Sequence, residues 1–477
     1  MRKTKIVCTL GPASDNEETI RAMLLAGMDV ARLNFSHGTH ESHGKTIARF
    51  RQVRDELDKA AAVLLDTKGP EIRVGNFADG QVALADGAAF TLTTESLLGD
   101  AQRASVTYGD LPRQLQPGAR LLLDDGRLSL LVRAVEGTEI RCQVEHGGLL
   151  KDHKSINIPG AQLEMPYLSE QDKADLLFGI AQEVDFVAAS FVRRKEDVIA
   201  LRRFLNYHAG HDIRIISKIE NIEGIENFHE ILEVSDGIMV ARGDMGVEVA
   251  YERLPGLQKK FIRACYRAGK MVITATQMLE SMVANPSPTR AEITDVANAV
   301  FDGTSAVMLS GESAAGAYPV RAVEVMAKIA EQAEADCFAM SVFEGFHYDN
   351  DGDTTNAICD ATCTTARDIH AAAIIAVTKS GQTARRMSKF RPYEPIVAAT
   401  PKLKTFHQLS LSWGVYPVLA QIQSSSDALF RHAVDCAQQI DMVKNGDLVV
   451  ITAGIPLGTT GTTNILKVAT VGSAVDI

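Results

Sequence analysis

Short runs of β-branched and apolar residues recur along the chain. Each closes on a polar or glycine-containing cluster and is followed by the 3.6-residue periodicity of an amphipathic helix. Eight such runs stand at residues 5–10, 29–35, 62–67, 185–191, 214–219, 237–241, 271–275 and 306–309. Ser14-Asp15-Asn16-Glu17 reads as a capping box, and Ser169 before Glu170, Gln171, Asp172 and Lys173 as a second helix start. The alternation predicts parallel βαβ units, and eight of them close into an α/β fold, a (β/α)8 TIM barrel, with its chemistry at the C-terminal strand ends.

One connection breaks the rhythm. Over residues 71–164 the helical period vanishes and Asp79-Gly80, Asp86-Gly87 and Asp125-Gly126 supply hairpin turns. This predicts an inserted β-barrel-like lid domain at the mouth of the barrel. Beyond residue 341, a helix at 354–370 leads into strand runs at 373–377, 396–399, 415–419, 448–452 and 464–468, a separate C-terminal open α/β domain. The expected division is therefore 1–70 with 165–340 for the barrel, 71–164 for the lid and 341–477 for the C-terminal domain.

Composition narrows the function. The 477 residues are 46% hydrophobic and 23% charged, enough apolar material for several cores. Asp and Glu (60) exceed Lys and Arg (49), so polyphosphate backbones and acidic membrane surfaces are repelled, and no run approaches the ~18 apolar residues of a membrane helix. Neither nucleic acid nor membrane is an expected partner. Seven scattered cysteines without a C-x-x-C spacing read as reduced thiols of a cytoplasmic protein. Asp349-Asn350-Asp351-Gly352-Asp353 lacks the remaining ligands of a calcium loop and reads as an exposed linker, and Trp413, the single tryptophan, as core of the C-terminal domain.

The strand ends carry the chemistry. Residues two apart share a face of a strand, so Lys218 and Glu220 point together, as do Arg32, Asn34 and Ser36. Glu220 and Asp244 on neighbouring strands suit a magnesium or manganese ion, or else ordinary ion pairs with Lys218 and Arg242. Asn34, Ser36, Asp66 and the Thr67 carbonyl offer oxygens with one formal charge, appropriate to a monovalent cation. Arg32, Arg73 and Lys218 place positive charge where anions would sit, and Gly243-Asp244-Met245-Gly246 opens a helix whose amides could receive a carboxylate or phosphate. A second anion site is expected at Thr378, Lys379, Ser380, Gly381 and Thr383, a strand-to-helix loop with Arg385 and Arg386 just beyond.

Residues 4–12, Arg32-Leu33-Asn34-Phe35-Ser36-His37-Gly38, 66–73, 217–221, Met239-Val240-Ala241-Arg242-Gly243-Asp244 and 274–282 together resemble the pyruvate kinases, in order along the chain. The resemblance implies phosphoryl transfer from phosphoenolpyruvate to ADP, giving pyruvate and ATP through an enolate, with Mg2+ (or Mn2+) and K+ as cofactors. It assigns Lys218 and Arg32 to the transferring phosphoryl group, Glu220 and Asp244 to the divalent ion, and Gly243, Asp244 and Thr276 to the substrate carboxylate, with Thr276 near the protonated face. It assigns Asn34, Ser36, Asp66 and Thr67 to potassium, and Asn34, His37, Arg73 and Lys154 to the nucleotide. Glu71 is the residue of potassium-dependent members, where potassium-independent ones carry Lys. The resemblance further implies a homotetramer and a phosphorylated allosteric effector on the 378–383 loop. The closing loop, residues 454–461, lacks a Trp-Arg pairing and leaves a sugar bisphosphate, ribose 5-phosphate or AMP open. A barrel lyase or aldolase acting on phosphoenolpyruvate or pyruvate is the competing enzyme. It needs neither the Arg32-x-Asn34-x-Ser36 set nor a lid. A binding protein that had lost catalysis would have lost Lys218, Glu220, Asp244 or Thr276, and all four are present.

Overall fold

Strands buried on both faces cannot show the alternation of a half-exposed sheet, and here they read as continuous apolar runs. Each of the eight runs holds one strand: Lys5–Thr9, Val30–Asn34, Ala62–Asp66, Phe186–Ala189, Arg214–Ile219, Gly237–Ala241, Met271–Ala275 and Ala306–Leu309. They pair in sequence order and the eighth pairs with the first, closing a parallel barrel. The computed structural model describes residues 1–161, 163–345, 352–457 and 461–473. Asp349–Asp351 of the acidic run and residues 458–460 of the 454–461 loop lie outside the described residues.

Helix starts follow the caps, with one correction. Ser169 and Asp172 form a reciprocal capping box on the helix Glu170–Ala181. The first helix, Glu17–Ala26, is capped by Asn16, whose side chain accepts from the Thr19 amide. Ser14 is buried instead, its hydroxyl accepting from the Gly11 amide, so it belongs to the preceding turn.

The connection after the third strand forms a seven-stranded sheet and a two-stranded ribbon, Gln81–Leu84 with Gly148–Lys151, around one apolar core. It leaves from the C-terminal end of the third strand and returns along residues 158–167, where Arg193, ion-paired with Asp197, donates to the carbonyls of Leu163 and Met165. Asn157 of the insertion reaches Glu248 of the barrel, at 3.3 Å. The insertion therefore stands over the end where the strands finish.

The opposite end is closed by a second unit. Its parallel strands Val415–Leu419, Ile396–Thr400, Ala373–Val377 and Leu448–Gly454 lie in that spatial order, with Thr463–Thr470 antiparallel at the edge. Leu411, fully buried, packs into the barrel's interior cluster with Val7, Val30, Leu64, Phe186 and Ile216 and so plugs its floor. Gly414 donates to the Lys3 carbonyl, and Gln408 to the carbonyls of Asp185 and Asp212. Trp413 belongs to this junction rather than to the core of its own unit. Its ring clusters with Ala330, Ala333 and Cys337 of the barrel's last helix and lies beneath Arg391 and Lys3. The flat, polarisable ring suits a surface shared by two cations.

His407 is buried at the same junction, 3.4 Å from Arg54. Burial, reinforced by the Arg54 guanidinium, holds its pKa down at about 3. The unfolded chain binds this proton near pH 6.5 and the folded one does not, so stability falls as pH drops below 6.5. At pH 5 the loss from this one group is about 2 kcal/mol. Melting followed through the fluorescence of Trp413 should thus show a smaller drop between pH 7.5 and pH 5 in His407→Gln than in the wild type. Parallel pH profiles would contradict this placement of His407.

Candidate active site

Inward-facing positions of the barrel are apolar at the floor and turn ionic at the mouth. Period-two alternation carries Val30 to Arg32 and Asn34, Ala62 and Leu64 to Asp66, Phe186 and Ala188 to Ser190, and Ile216 to Lys218 and Glu220. Parallel pairing then sets the neighbours, with Thr9 opposite Arg32 and Asn34 opposite Asp66.

Asp66 lies at the centre. One of its oxygens accepts from Arg32 Nε at 2.7 Å and the other from Lys218 Nζ at 3.1 Å. Burial alone would raise this carboxyl, but Arg32 and Lys218 outweigh it and hold Asp66 below the ordinary range. Burial likewise opposes charge on Lys218, and Asp66 with Glu220 more than compensates, so the ammonium persists well above the usual lysine range. Arg32 also donates to Thr9 Oγ1 at 2.8 Å. A guanidinium and an ammonium are thereby fixed side by side.

Glu220 is less well satisfied. Its Oε2 accepts from the Phe191 amide at 2.6 Å, whereas Oε1, 3.0 Å from Lys218 Nζ, has no hydrogen-bond partner. Burial, with the Asp244 carboxylate adding to it and Lys218 opposing, pushes Glu220 up to about 8. A buried carboxylate oxygen left in this state fits a cation. The competing reading of plain ion pairs holds only in part, because Arg242 pairs with Asp295 and not with Asp244. Among the described residues no group of three or more His, Cys, Asp or Glu could hold a metal. A divalent ion on Glu220 and Asp244 would take its other oxygens from water or substrate, as magnesium commonly does.

Asp244 sits on the helix Arg242–Glu248, which begins directly at the end of the sixth strand. Thr276, after the seventh strand, has φ +70°, a left-handed conformation strained for a β-branched residue. Arg242 donates to the Thr276 carbonyl at 2.6 Å, and Thr276 Oγ1 accepts from the Gly243 amide at 2.7 Å. Gly243, Asp244 and Thr276, the residues expected at the substrate carboxylate, thus come together from two strand ends, with the Gly243 amide bonded to the Thr276 hydroxyl.

Asn34, Asp66 and Thr67 meet through the pairing of the second and third strands. Ser36 follows in a tight turn closed by Asn34 Oδ1 on the Ser36 amide. All the donors are oxygens, with one carboxylate among them. Of the four residues expected at the nucleotide, His37 is exposed at the rim, Arg73 is held by Glu71 and the His153 carbonyl, and Lys154 pairs with Asp124 at 2.6 Å. Ser190 and Phe191 were not found from the sequence. For Ser190 the signal was the same period of two, counted on from Phe186 and Ala188, whereas Phe191 acts through its backbone amide, which side-chain periodicity does not mark.

At the far end of the C-terminal unit, the 378–383 loop borders a cavity of about 170 Å3 that also includes Ile422, Leu429 and His432. Gly381, at φ +77°, caps the helix Gln382–Lys389, and its amide donates to Thr378 Oγ1. Arg385 is turned to the Ser380 carbonyl and Arg386 to Asp353, so Lys379 is the loop's exposed cation.

Comparison with known proteins agrees with this geometry. Residues 1–323 match the family model "Pyruvate kinase, barrel domain" and residues 356–469 "Pyruvate kinase, alpha/beta domain". A pyruvate kinase of Clostridium acetobutylicum is 49% identical over 99% of this chain and 100% of its own length. One of Staphylococcus aureus is 49% identical over 100% of this chain and 81% of its own. The crystal structure of a pyruvate kinase from Cryptosporidium parvum superposes with a TM-score of 0.92 at 38% identity, covering 98% of this chain and 96% of that one. The fold, the ionic mouth and the full-length match converge: the chain belongs to the pyruvate kinase family.

Proposed function

We propose that the barrel mouth carries out the family's reaction, transfer of the phosphoryl group of phosphoenolpyruvate to ADP with formation of pyruvate and ATP, through the residues gathered around Lys218. The carrying observation is the ammonium of Lys218, buried and held charged beside Arg32. Two phosphate-bearing anions repel as they approach. At an effective dielectric of 20 each unit charge pair at 4 Å amounts to about 4 kcal/mol, so two fixed cations at the transferring group offset a large part of that cost. Arg32 grips the phosphoryl group and Lys218 stabilises the charge that moves across it. The amides of Gly243 and Asp244, with the Thr276 hydroxyl, would orient the substrate carboxylate, which takes over the Gly243 amide from Thr276 Oγ1, and Thr276 would border the face on which the enolate gains its proton.

Glu220 and Asp244 would hold Mg2+ or Mn2+, which when bound supplies positive charge to the substrate carboxylate and the bridging oxygen. Asn34, Ser36, Asp66 and Thr67 would hold K+. The nucleotide would lie along Asn34, His37, Arg73 and Lys154, whose pairs with Glu71 and Asp124 exchange for phosphate oxygens when the lid, residues 71–164, engages it. The loop of Thr378, Lys379, Ser380, Gly381 and Thr383 would take the phosphate of an allosteric activator, in a homotetramer of the cytoplasm.

Lys218→Met should keep its fold by circular dichroism and lose roughly a thousandfold or more in pyruvate formation, the scale of a lost transition-state charge contact. Wild-type turnover in this variant would remove Lys218 from the mechanism. Activity at constant ionic strength should rise steeply with potassium and respond poorly to sodium, while Glu71→Lys should retain activity without potassium because its ammonium replaces the ion. Equal wild-type rates in potassium-free buffer would refute the monovalent site. Ribose 5-phosphate, AMP or fructose 1,6-bisphosphate should lower half-saturation for phosphoenolpyruvate in the wild type and not in Lys379→Glu. No response to any of the three would refute the effector loop.

A further inference from the structure

Among the groups packed around Lys218, Ser190 and Phe191 have no part in the roles above, yet they touch Asp66, Thr67, Glu220 and Lys218 itself. Ser190 is 2% exposed. Its hydroxyl lies 2.6 Å from the Thr67 carbonyl and 3.1 Å from Asp66 Oδ1, and it receives a hydrogen bond from Lys218 Nζ at 2.8 Å. A hydroxyl has one proton to give, and the shorter contact directs it to Thr67. Its lone pairs then face the ammonium, which spans Ser190 and Asp66. The Ser190 amide donates to Thr67 Oγ1 at 3.1 Å, a second tie to the same residue.

The next amide points elsewhere. Phe191 has φ +53°, a conformation few bulky residues adopt, and its N–H meets Glu220 Oε2 at 2.6 Å. Gly69, at φ +74°, lies so close that a Cβ there would stand 2.8 Å from the Ser190 carbonyl. Asp172, from the capping box, accepts from the Gly69 amide at 3.0 Å. The turn after the third strand is thereby clamped onto the end of the fourth.

We propose that Ser190 and Phe191 form a positioning bracket that couples the monovalent-cation site at Asp66 and Thr67 to the divalent-cation site at Glu220. This rests on the cation sites proposed above. A cation drawing on the Thr67 carbonyl and Asp66 shifts the acceptor of the Ser190 hydroxyl and the carboxylate of Lys218 together, and Lys218 is itself bonded to Ser190. The rigid step from Ser190 to Phe191 carries that shift to the amide holding Glu220. Lys218, which faces both carboxylates, moves with it. Neither residue needs to touch substrate.

The test is Mn2+ binding to the substrate-free enzyme by titration calorimetry, in potassium and in tetramethylammonium at equal ionic strength. In the wild type potassium should tighten Mn2+ binding about tenfold, the scale of an ordinary coupling between sites. In Ser190→Ala the factor should fall to within about twofold of unity while the melting temperature stays near that of the wild type, and Ser190→Thr, which keeps the hydroxyl, should retain the coupling. An unchanged factor in Ser190→Ala, or no potassium effect in the wild type, overturns the proposal. So does a weaker Mn2+ affinity with coupling intact, which would make Ser190 part of one site alone. Glu220→Gln separates the two readings. If it leaves Mn2+ affinity unchanged the divalent site itself is wrong, and if it abolishes binding while Ser190→Ala retains coupling only the bracket is wrong.

Discussion

Burying ionised groups at one end of a parallel barrel is the constraint on which the rest of the structure depends. Arg32, Asp66, Lys218 and Glu220 are each under 10% exposed, and a charge in that environment is tolerable only when paired and hydrogen-bonded. Two cations offset two of the carboxylates. Half-buried Asp244 then adds a further negative charge beside Glu220. That imbalance is what the proposed function draws on, with a cation at the Glu220 and Asp244 corner and a phosphoryl group beside Arg32 and Lys218. The strained backbone at Phe191 and Thr276, each with a hydrogen bond aimed at the cluster or its neighbouring helix, belongs to the same requirement.

The scaffold divides its labour along the barrel axis. Apolar side chains fill the interior below the ionic layer, and Leu411 of the C-terminal unit completes that filling from beneath. The unit that plugs the floor also carries the 378–383 loop. Thr405 donates to the Lys379 carbonyl, and the same short helix, Leu403–Gln408, ends in Gln408 on the carbonyls of Asp185 and Asp212. Those residues open the fourth and fifth strands, which close on Ser190, Lys218 and Glu220. A contiguous set of contacts therefore joins the loop to the ionic layer at the barrel mouth.

Much of this was legible in the sequence, for reasons that differ by element. Barrel strands announce themselves because burial on both faces demands unbroken apolar runs, and Lys218 with Glu220 could be placed on one face by the period of two. What local pattern does not contain is partner choice across strands. Arg242 looked like a partner for Asp244 and is taken by Asp295, Trp413 looked like core of its own unit and is shared with the barrel, and Ser14 looked like a cap that Asn16 supplies. Ser190 was missed for a different reason. A lone serine at the end of Phe-Val-Ala-Ala-Ser carries no charge to draw attention, and its importance lies wholly in three contacts made by tertiary closure.

The most direct test of this account is anomalous diffraction from crystals of the enzyme grown with Mn2+ and with Rb+ in place of potassium. A manganese peak about 2.2 Å from carboxylate oxygens of both Glu220 and Asp244, with a rubidium peak beside Asn34, Asp66 and the Thr67 carbonyl, is the result expected. Peaks elsewhere, with Lys218 still closing on Glu220 and no density between Glu220 and Asp244, would show that the ionic mouth is balanced by protein alone and would contradict the proposal that Glu220 Oε1, which Lys218 meets at 3.0 Å, is a cation ligand.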